Sequence, residues 1–251
     1  MKPILLLGDS CTDKFVYCQC ERLCPESPVP LLDIKQTVTN RGMAGNVLKN
    51  LLNLNCDIKF ITNKNYRSIL KTRYVDHKTN HMFIRIDTSA ETTSTLKDYY
   101  DKIDFDNYSA VVMSDYCKGF LTKDDIEYIG KSHPLTFLDT KKKLGSWANN
   151  ITYIKINRKE YNASQPTLTN TLKNKIITTL GSGGATYKND QYDVENVEVK
   201  DLSGAGDTFL AGLVYAFLHT KDITKSIIFA NKCATCVVQK QGVSVVQDTF
   251  I

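Results

Sequence analysis

No stretch of this chain approaches the roughly 20 consecutive apolar residues needed to cross a bilayer. The opening Met1-Lys2-Pro3-Ile4-Leu5-Leu6-Leu7-Gly8 reaches Asp9 too soon for a signal peptide, so a cytoplasmic protein with no membrane partner is expected. No Gly-x-x-x-x-Gly-Lys-Ser/Thr occurs, which excludes the Walker-type phosphate cradle. The dinucleotide fingerprint is missing too, because Gly204-x-Gly206 is followed at the third glycine's place by Phe209. There is no basic arm, only scattered Lys and Arg giving a net charge of +5, so nucleic acid is not an expected partner. Eight cysteines are present, yet no second Cys or His pair completes a zinc site around Cys18, Cys20 and Cys24, and Cys233-x-x-Cys236 lies within a helical pattern. In a cytoplasmic chain these are expected to be reduced thiols, packed as small hydrophobes.

What is present suits one globular domain: 251 residues, 42% of them apolar and 24% charged. Short apolar runs recur at Ile4 to Leu7, Ile58 to Ile61, Ala110 to Met113, Leu135 to Leu138, Ile151 to Ile154 and Ile176 to Leu180. Most do not alternate, as expected for strands buried on both faces, and helical patterns such as Ala44 to Leu54 lie between them. The pattern predicts an α/β fold with a parallel sheet covered on both faces. Polar residues follow the runs: Gly8-Asp9, Ser114-Asp115, Asp139, Asn157 and Gly181-Ser182-Gly183-Gly184. Ligands of open α/β sheets bind outside the carboxyl ends of the strands, so these groups converge on one edge.

The densest signal is Asp201-Leu202-Ser203-Gly204-Ala205-Gly206-Asp207-Thr208-Phe209. Beyond it Leu210, Leu213, Val214 and Phe217 recur at helical spacing, so a glycine turn opens directly into a helix. The first N–H groups of a helix lack internal partners and carry the positive end of its dipole, which suits phosphate. Asp207 at that mouth can take a proton from an attacking hydroxyl. Taken alone, the same residues also fit a tight turn followed by an acid that complements the dipole. Asp9 and Asp13 offer acceptors to sugar hydroxyls or, equally, an Asx turn. Asn157 and Glu160 could hold hydrated magnesium or cap a helix.

The Asp-x-x-Gly-Ala-Gly-Asp-Thr-Phe string resembles the second signature of the ribokinase-like (PfkB) carbohydrate kinases, and Gly42-Met43-Ala44-Gly45-Asn46 resembles the first, with Met43 replacing its second glycine. Arg22-Leu23-Cys24-Pro25-Glu26-Ser27-Pro28-Val29-Pro30, Lys71-x-Arg73, Arg85-Ile86-Asp87 and Ser114-Asp115-Tyr116-Cys117-Lys118-Gly119 are similar to the heptose-7-phosphate kinase branch. The resemblance implies a three-layer α/β/α domain over residues 1–251, with a mainly parallel central sheet and a small β lid from about 14–38 and 71–88. It implies Asp207 as catalytic base, with Gly204, Ala205 and Gly206 forming the anion hole. Asp9, Asp13, Gly42, Asn46, Arg73, Arg85, Asp115 and Lys118 would bind the sugar. Asn157, Glu160, Thr179, Gly181, Ser182, Gly184 and Asn231 would serve ATP, and Asn157 and Glu160 would hold Mg2+ through water; a monovalent cation is left open.

The implied activity is an ATP-dependent kinase acting on a sugar hydroxyl, here the anomeric hydroxyl of a heptose 7-phosphate. Another sugar, a sugar phosphate or a nucleoside remains an alternative acceptor, as does an inactive sugar- or nucleotide-binding regulator. Lids of this family often pair, so a homodimer through the lid is a further expectation. Between Asn63 and Lys71 the chain lacks the helix, strand and turn of its relatives. Heptose kinases often carry a nucleotidyltransferase domain; nothing after Val246 has the length for one, so a second step would come from another chain.

Overall fold

The computed structural model describes residues 2–88, 92–240 and 242–246. Its strands are β1 (Ile4–Gly8), β2 (Ser10–Leu23), β3 (Pro30–Met43), β4 (Ile58–Thr62), β5 (Leu70–Asp76), β6 (Met82–Asp87), β7 (Ala110–Asp115), β8 (Thr136–Thr140), β9 (Tyr153–Asn157), β10 (Ile176–Thr179), β11 (Ala185–Tyr187) and β12 (Asp190–Tyr192). The helices are α1 (Ala44–Asn53), α2 (Lys123–Ser132), α3 (Arg158–Ser164), α4 (Asn170–Lys173), α5 (Ala205–Thr220) and α6 (Ile223–Val238), with short 3-10 turns between. Eight strands form the main sheet in the order β12-β11-β10-β9-β8-β7-β1-β4. From β4 to β10 the pairing is parallel, and β11 and β12 close the far edge antiparallel. The unalternating runs are these parallel strands, because residues pointing to either face meet helices.

Two cores result. Leu6, Val112, Phe137 and Ile177 pack against Val47 of α1, Leu210 and Val214 of α5 and Ile227 of α6. On the opposite face Leu7, Met113, Leu138 and Ile154 meet Ile126 and Ile129 of α2, Trp147 and Leu172. The fifth run is displaced: Ile151 is buried in a turn and the strand starts at Tyr153. Among the described residues no helix is long and apolar enough to span a membrane, and all eight cysteines are free thiols.

A second sheet, ordered β3-β2-β5-β6, springs from the carboxyl end of β1. Its long hairpin pairs Ser10 with Met43 at the base and Leu23 with Pro30 at the tip, where the proline-rich segment forms the turn. The sheet therefore reaches further along the chain, at both arms of the hairpin, than 14–38. Only residues 63–69 separate β4 from β5, so β4 is the edge of the main sheet and no further strand flanks it among the described residues. Met43 ends β3 at φ 57, ψ −130, a conformation open mainly to glycine, and its buried side chain packs with Cys11, Ile69 and Tyr116.

Gly8 is required by packing: a Cβ there would lie 2.1 Å from the Ser114 carbonyl oxygen of the neighbouring strand. Gly8→Ala is expected to lower stability by about 1–3 kcal/mol through overpacking, read as a lower urea midpoint.

Candidate active site

Asp207 stands in the first turn of α5, 4% exposed. Gly204 precedes the helix with φ 84, and an added Cβ there would lie 2.5 Å from the Asn46 side-chain nitrogen. The left-handed turn and the close approach both call for glycine. The N–H groups of Gly206 and Asp207 have no protein partner among the described residues, whereas that of Ala205 donates to the Leu202 carbonyl at 3.3 Å. The Ala205 amide expected in the anion hole is thus spent on the turn.

Both oxygens of Asp207 receive donors: Asn46 Nδ2 reaches Oδ2 at 3.0 Å, and the Tyr116 hydroxyl reaches Oδ1 at 2.7 Å. Burial raises the Asp207 pKa; the bonds from Tyr116 and Asn46 oppose that rise, as does Lys155, while Asp139 reinforces it. Asn46, expected on the sugar, is directed at the base.

Asp9 requires a correction. It is fully buried, and its carboxylate accepts the N–H groups of Tyr116, Lys118 and Phe120 at 2.8, 3.2 and 3.1 Å. Its carboxylate is spent on folding the 116–120 loop that carries Tyr116. Asp115 needs the same correction: it is 1% exposed and tied to Lys142 at 2.7 Å and to the Cys117 N–H at 3.1 Å. Both acids are consumed because their strand ends are sealed by loop backbone that must be hydrogen-bonded.

Asp13 remains suited to a ligand. Arg73 holds its Oδ1 at 2.8 Å, Gly42 leaves room beside Oδ2, and that second oxygen has no protein donor among the described residues. Arg73 and Arg85 face each other in the β5–β6 register, but Arg85 is paired with Asp87, with Nε to Oδ1 at 2.7 Å. Lys71 and Lys141 lie over the Tyr116 ring, at 5.0 and 5.3 Å. The half-buried Lys118 has no ion-pair partner among the described residues.

On the nucleotide side, Thr179 ends β10 in register with Asn157. The exposed Gly181 and Ser182 follow, and Gly184 at φ 74 lies so close to the Tyr192 carbonyl that a Cβ would clash at 2.0 Å. Asn231 is 5% exposed and donates to the Tyr192 carbonyl at 2.8 Å, so it fastens α6 to β12 instead of facing a base.

Asn157 and Glu160 form a reciprocal capping box on α3: Glu160 N–H to Asn157 Oδ1 at 2.9 Å, and Asn157 N–H to Glu160 Oε2 at 2.8 Å. Lys141 holds the other Glu160 oxygen at 2.7 Å. Among the described residues no cluster of three acidic, His or Cys side chains could hold a metal. The pair expected to carry Mg2+ through water is engaged in capping α3 and in the Lys141 ion pair, and it offers no cluster that would ligate a metal directly.

Lys141 and Lys155 were not singled out by sequence, and Asp139 was placed on the ligand edge with no partner assigned. Lys155 is 4% exposed and paired with Asp139 Oδ2 at 2.7 Å. Burial alone would raise the Asp139 pKa, but Lys155 and Lys141 overcome it and hold the carboxyl below its ordinary value. An ionisable residue between Ile154 and Ile156, directly after the run read as Ile151 to Ile154, was the available signal.

A parallel α/β sheet whose strand ends surround a carboxylate at an open helix start defines a phosphate-handling enzyme of the ribokinase-like fold. Solved structures share that fold: ribokinase from Thermotoga maritima at TM-score 0.72, with 16% identity over 97% of this chain and 95% of that one. Phosphofructokinase-2 from Escherichia coli superposes at TM-score 0.71, with 12% identity over 100% and 97%. The pfkB family carbohydrate kinase profile matches residues 43–249, and the chain belongs to that family.

Curated relatives include the bifunctional protein HldE of a Nitratiruptor species, 28% identical over 96% of this chain and 63% of that protein. The HldE of Helicobacter pylori is 30% identical over 96% and 64%. The chain thus spans less than two thirds of these relatives' length. The first alignment covers 293 positions, more than the 251 residues here, so the relative carries insertions that this chain lacks.

Asp9→Asn turns one acceptor oxygen into a donor facing backbone N–H groups. A loss of about 1–3 kcal/mol in unfolding free energy is expected, measured by urea denaturation.

Proposed function

We propose that the chain transfers the γ-phosphoryl group of ATP to the anomeric hydroxyl of a heptose 7-phosphate. Membership of the family implies ATP, typically with Mg2+, and a sugar acceptor. The observation that carries the reading is the Asp207 carboxylate beside the unpaired N–H groups of Gly206 and Asp207. An acceptor hydroxyl between them loses its proton to Asp207 as its oxygen attacks phosphorus. The amides stabilise charge on the transferred oxygens. The 2.7 Å bond from Tyr116 illustrates how this carboxylate receives an O–H group.

A phosphorylated acceptor is supported by the second sheet, which turns Lys71, Arg73 and Arg85 to the same face as Asp13. The free oxygen of Asp13 would accept a sugar hydroxyl, while the cations neutralise a distal phosphate. The heptose choice rests on the Pro-Glu-Ser-Pro-Val-Pro and Ser-Asp-Tyr-Cys-Lys-Gly strings. A different sugar phosphate is the second reading, favoured by Met43 in the floor and by the short 63–69 connection. The second sheet would act as a lid. Ile34, Ile84 and Ile86, each more than half exposed, give it an apolar outer surface suited to pairing two copies.

ADP release measured against a panel of sugars and sugar phosphates tests the assignment: heptose 7-phosphate is expected to give the highest kcat/KM, and turnover confined to unphosphorylated sugars would contradict it. Asp207→Asn is expected to lower kcat by about 10²–10⁴-fold without loss of ATP affinity, and a folded variant of parental rate would overturn the base. The pH profile gives a further check. Because the folded-state pKa of Asp207 is raised, protonation removes the base as pH falls through a window above that of a free aspartate. Tyr116→Phe removes a bond that lowers this pKa, so the acidic limb of kcat is expected to move to higher pH.

A further inference from the structure

Lys155 is held where simple electrostatics would not put it. Its ammonium is buried, which costs several kcal/mol unless compensated, and it lies against the first turn of α5. A Cβ on Gly206 would approach its Nζ to 2.9 Å, which places the ammonium directly beside that turn. The start of a helix already carries partial positive charge, and a cation there is on the wrong side of the dipole. An ammonium has three donors, and of these one is used among the described residues, on Asp139 at 2.7 Å. Lysine and amides thus lie side by side at the first turn of α5, the lysine paired with Asp139 and the Gly206 and Asp207 N–H groups without a protein acceptor among the described residues.

Lys141 extends the arrangement. It spans Glu160 at 2.7 Å and Asp139 Oδ1 at 3.5 Å, and that buried Asp139 oxygen has no hydrogen bond. The Glu160 carboxylate is thus shared between a lysine and the α3 capping box.

We propose that Lys155, backed by Lys141, is the fixed cation of the phosphoryl-transfer site, contacting the transferred group across Gly206 and taking the place of a protein-held divalent ion. The proposal rests on the kinase reading above. During transfer the bond from the γ-phosphorus to the leaving ADP oxygen breaks, the bond to the acceptor oxygen forms, and the hydroxyl proton passes to Asp207. Lys155 keeps its proton throughout and shields the phosphoryl oxygens. Any divalent ion then arrives on the nucleotide and needs no carboxylate from the protein.

Two measurements on the full chain test this. Steady-state kinetics of Lys155→Met are expected to show kcat lowered by about 10²–10³-fold, as for loss of an oxyanion donor, with both KM values within about threefold. Binding of inorganic phosphate, followed by 31P NMR without nucleotide or divalent ion, is expected to weaken at least about tenfold. Lys155→Met leaves the buried Asp139 with Lys141 alone, at 3.5 Å, as counter-charge, so the double variant with Asp139→Asn, which removes both charges of the closer pair, is measured alongside; the same losses are expected. Parental kcat, or parental phosphate binding, in either folded variant overturns the proposal while leaving the kinase reading intact. If the wild-type chain phosphorylates no acceptor yet its phosphate binding depends on Lys155, the kinase reading fails and the cation site stands.

Discussion

A carboxylate buried at the start of a helix is the constraint on which this structure turns. Asp207 is 4% exposed, and a group so placed must be hydrogen-bonded or neutralised. Two distant segments meet that need: Asn46 from α1 and Tyr116 from the loop after β7. The loop in turn depends on Asp9, whose carboxylate gathers three of its backbone N–H groups. The end of β1, the loop after β7, the first turn of α1 and the first turn of α5 are thereby locked into one polar unit. The hydrophobic layers hold the sheet together, but this unit fixes where its carboxyl edge can do chemistry.

Charge around that unit is layered. Farthest from solvent, Lys155 and Asp139 form a pair with both side chains almost wholly buried. Lys141 sits a step outward, shared between Asp139, Glu160 and the face of Tyr116. Outermost, the second sheet brings Lys71, Arg73 and Arg85 to the face that holds Asp13. Cations thus line the carboxyl edge from the second sheet to the start of α5, a field that favours anionic ligands. Their neutralising carboxylates keep the resting site from accumulating uncompensated charge.

Much of the scaffold was legible in the sequence. Strands buried on both faces read as unbroken apolar runs, and the Gly204 to Asp207 turn announced α5 because glycine relaxes a constraint that other residues cannot. Partner choice was less legible. Asp9 and Asp13 lie close in sequence and are chemically identical. Only the loop more than a hundred residues away decides that Asp9 binds backbone, whereas Asp13 keeps a free oxygen. Asn157 and Glu160 had two readings, of which the capping box is present in the structure. Lys155 stayed hidden because its neighbours on β9 are core isoleucines and its partner Asp139 comes from another strand. The hairpin runs past 14–38 at its base, where Ser10 to Asp13 and Gly42 and Met43 are mostly buried without alternating, so they leave no strand pattern in the sequence.

The claim that an alcohol is phosphorylated between Asp207 and the start of α5 is tested most directly by identifying the product. Heptose 7-phosphate incubated with ATP and the full chain should give, by 31P NMR, a second phosphorus resonance on the sugar, coupled to the anomeric proton, in step with ADP. Nucleotide consumed with no new sugar phosphorus, or phosphate on a hydroxyl other than the anomeric one, would contradict the account.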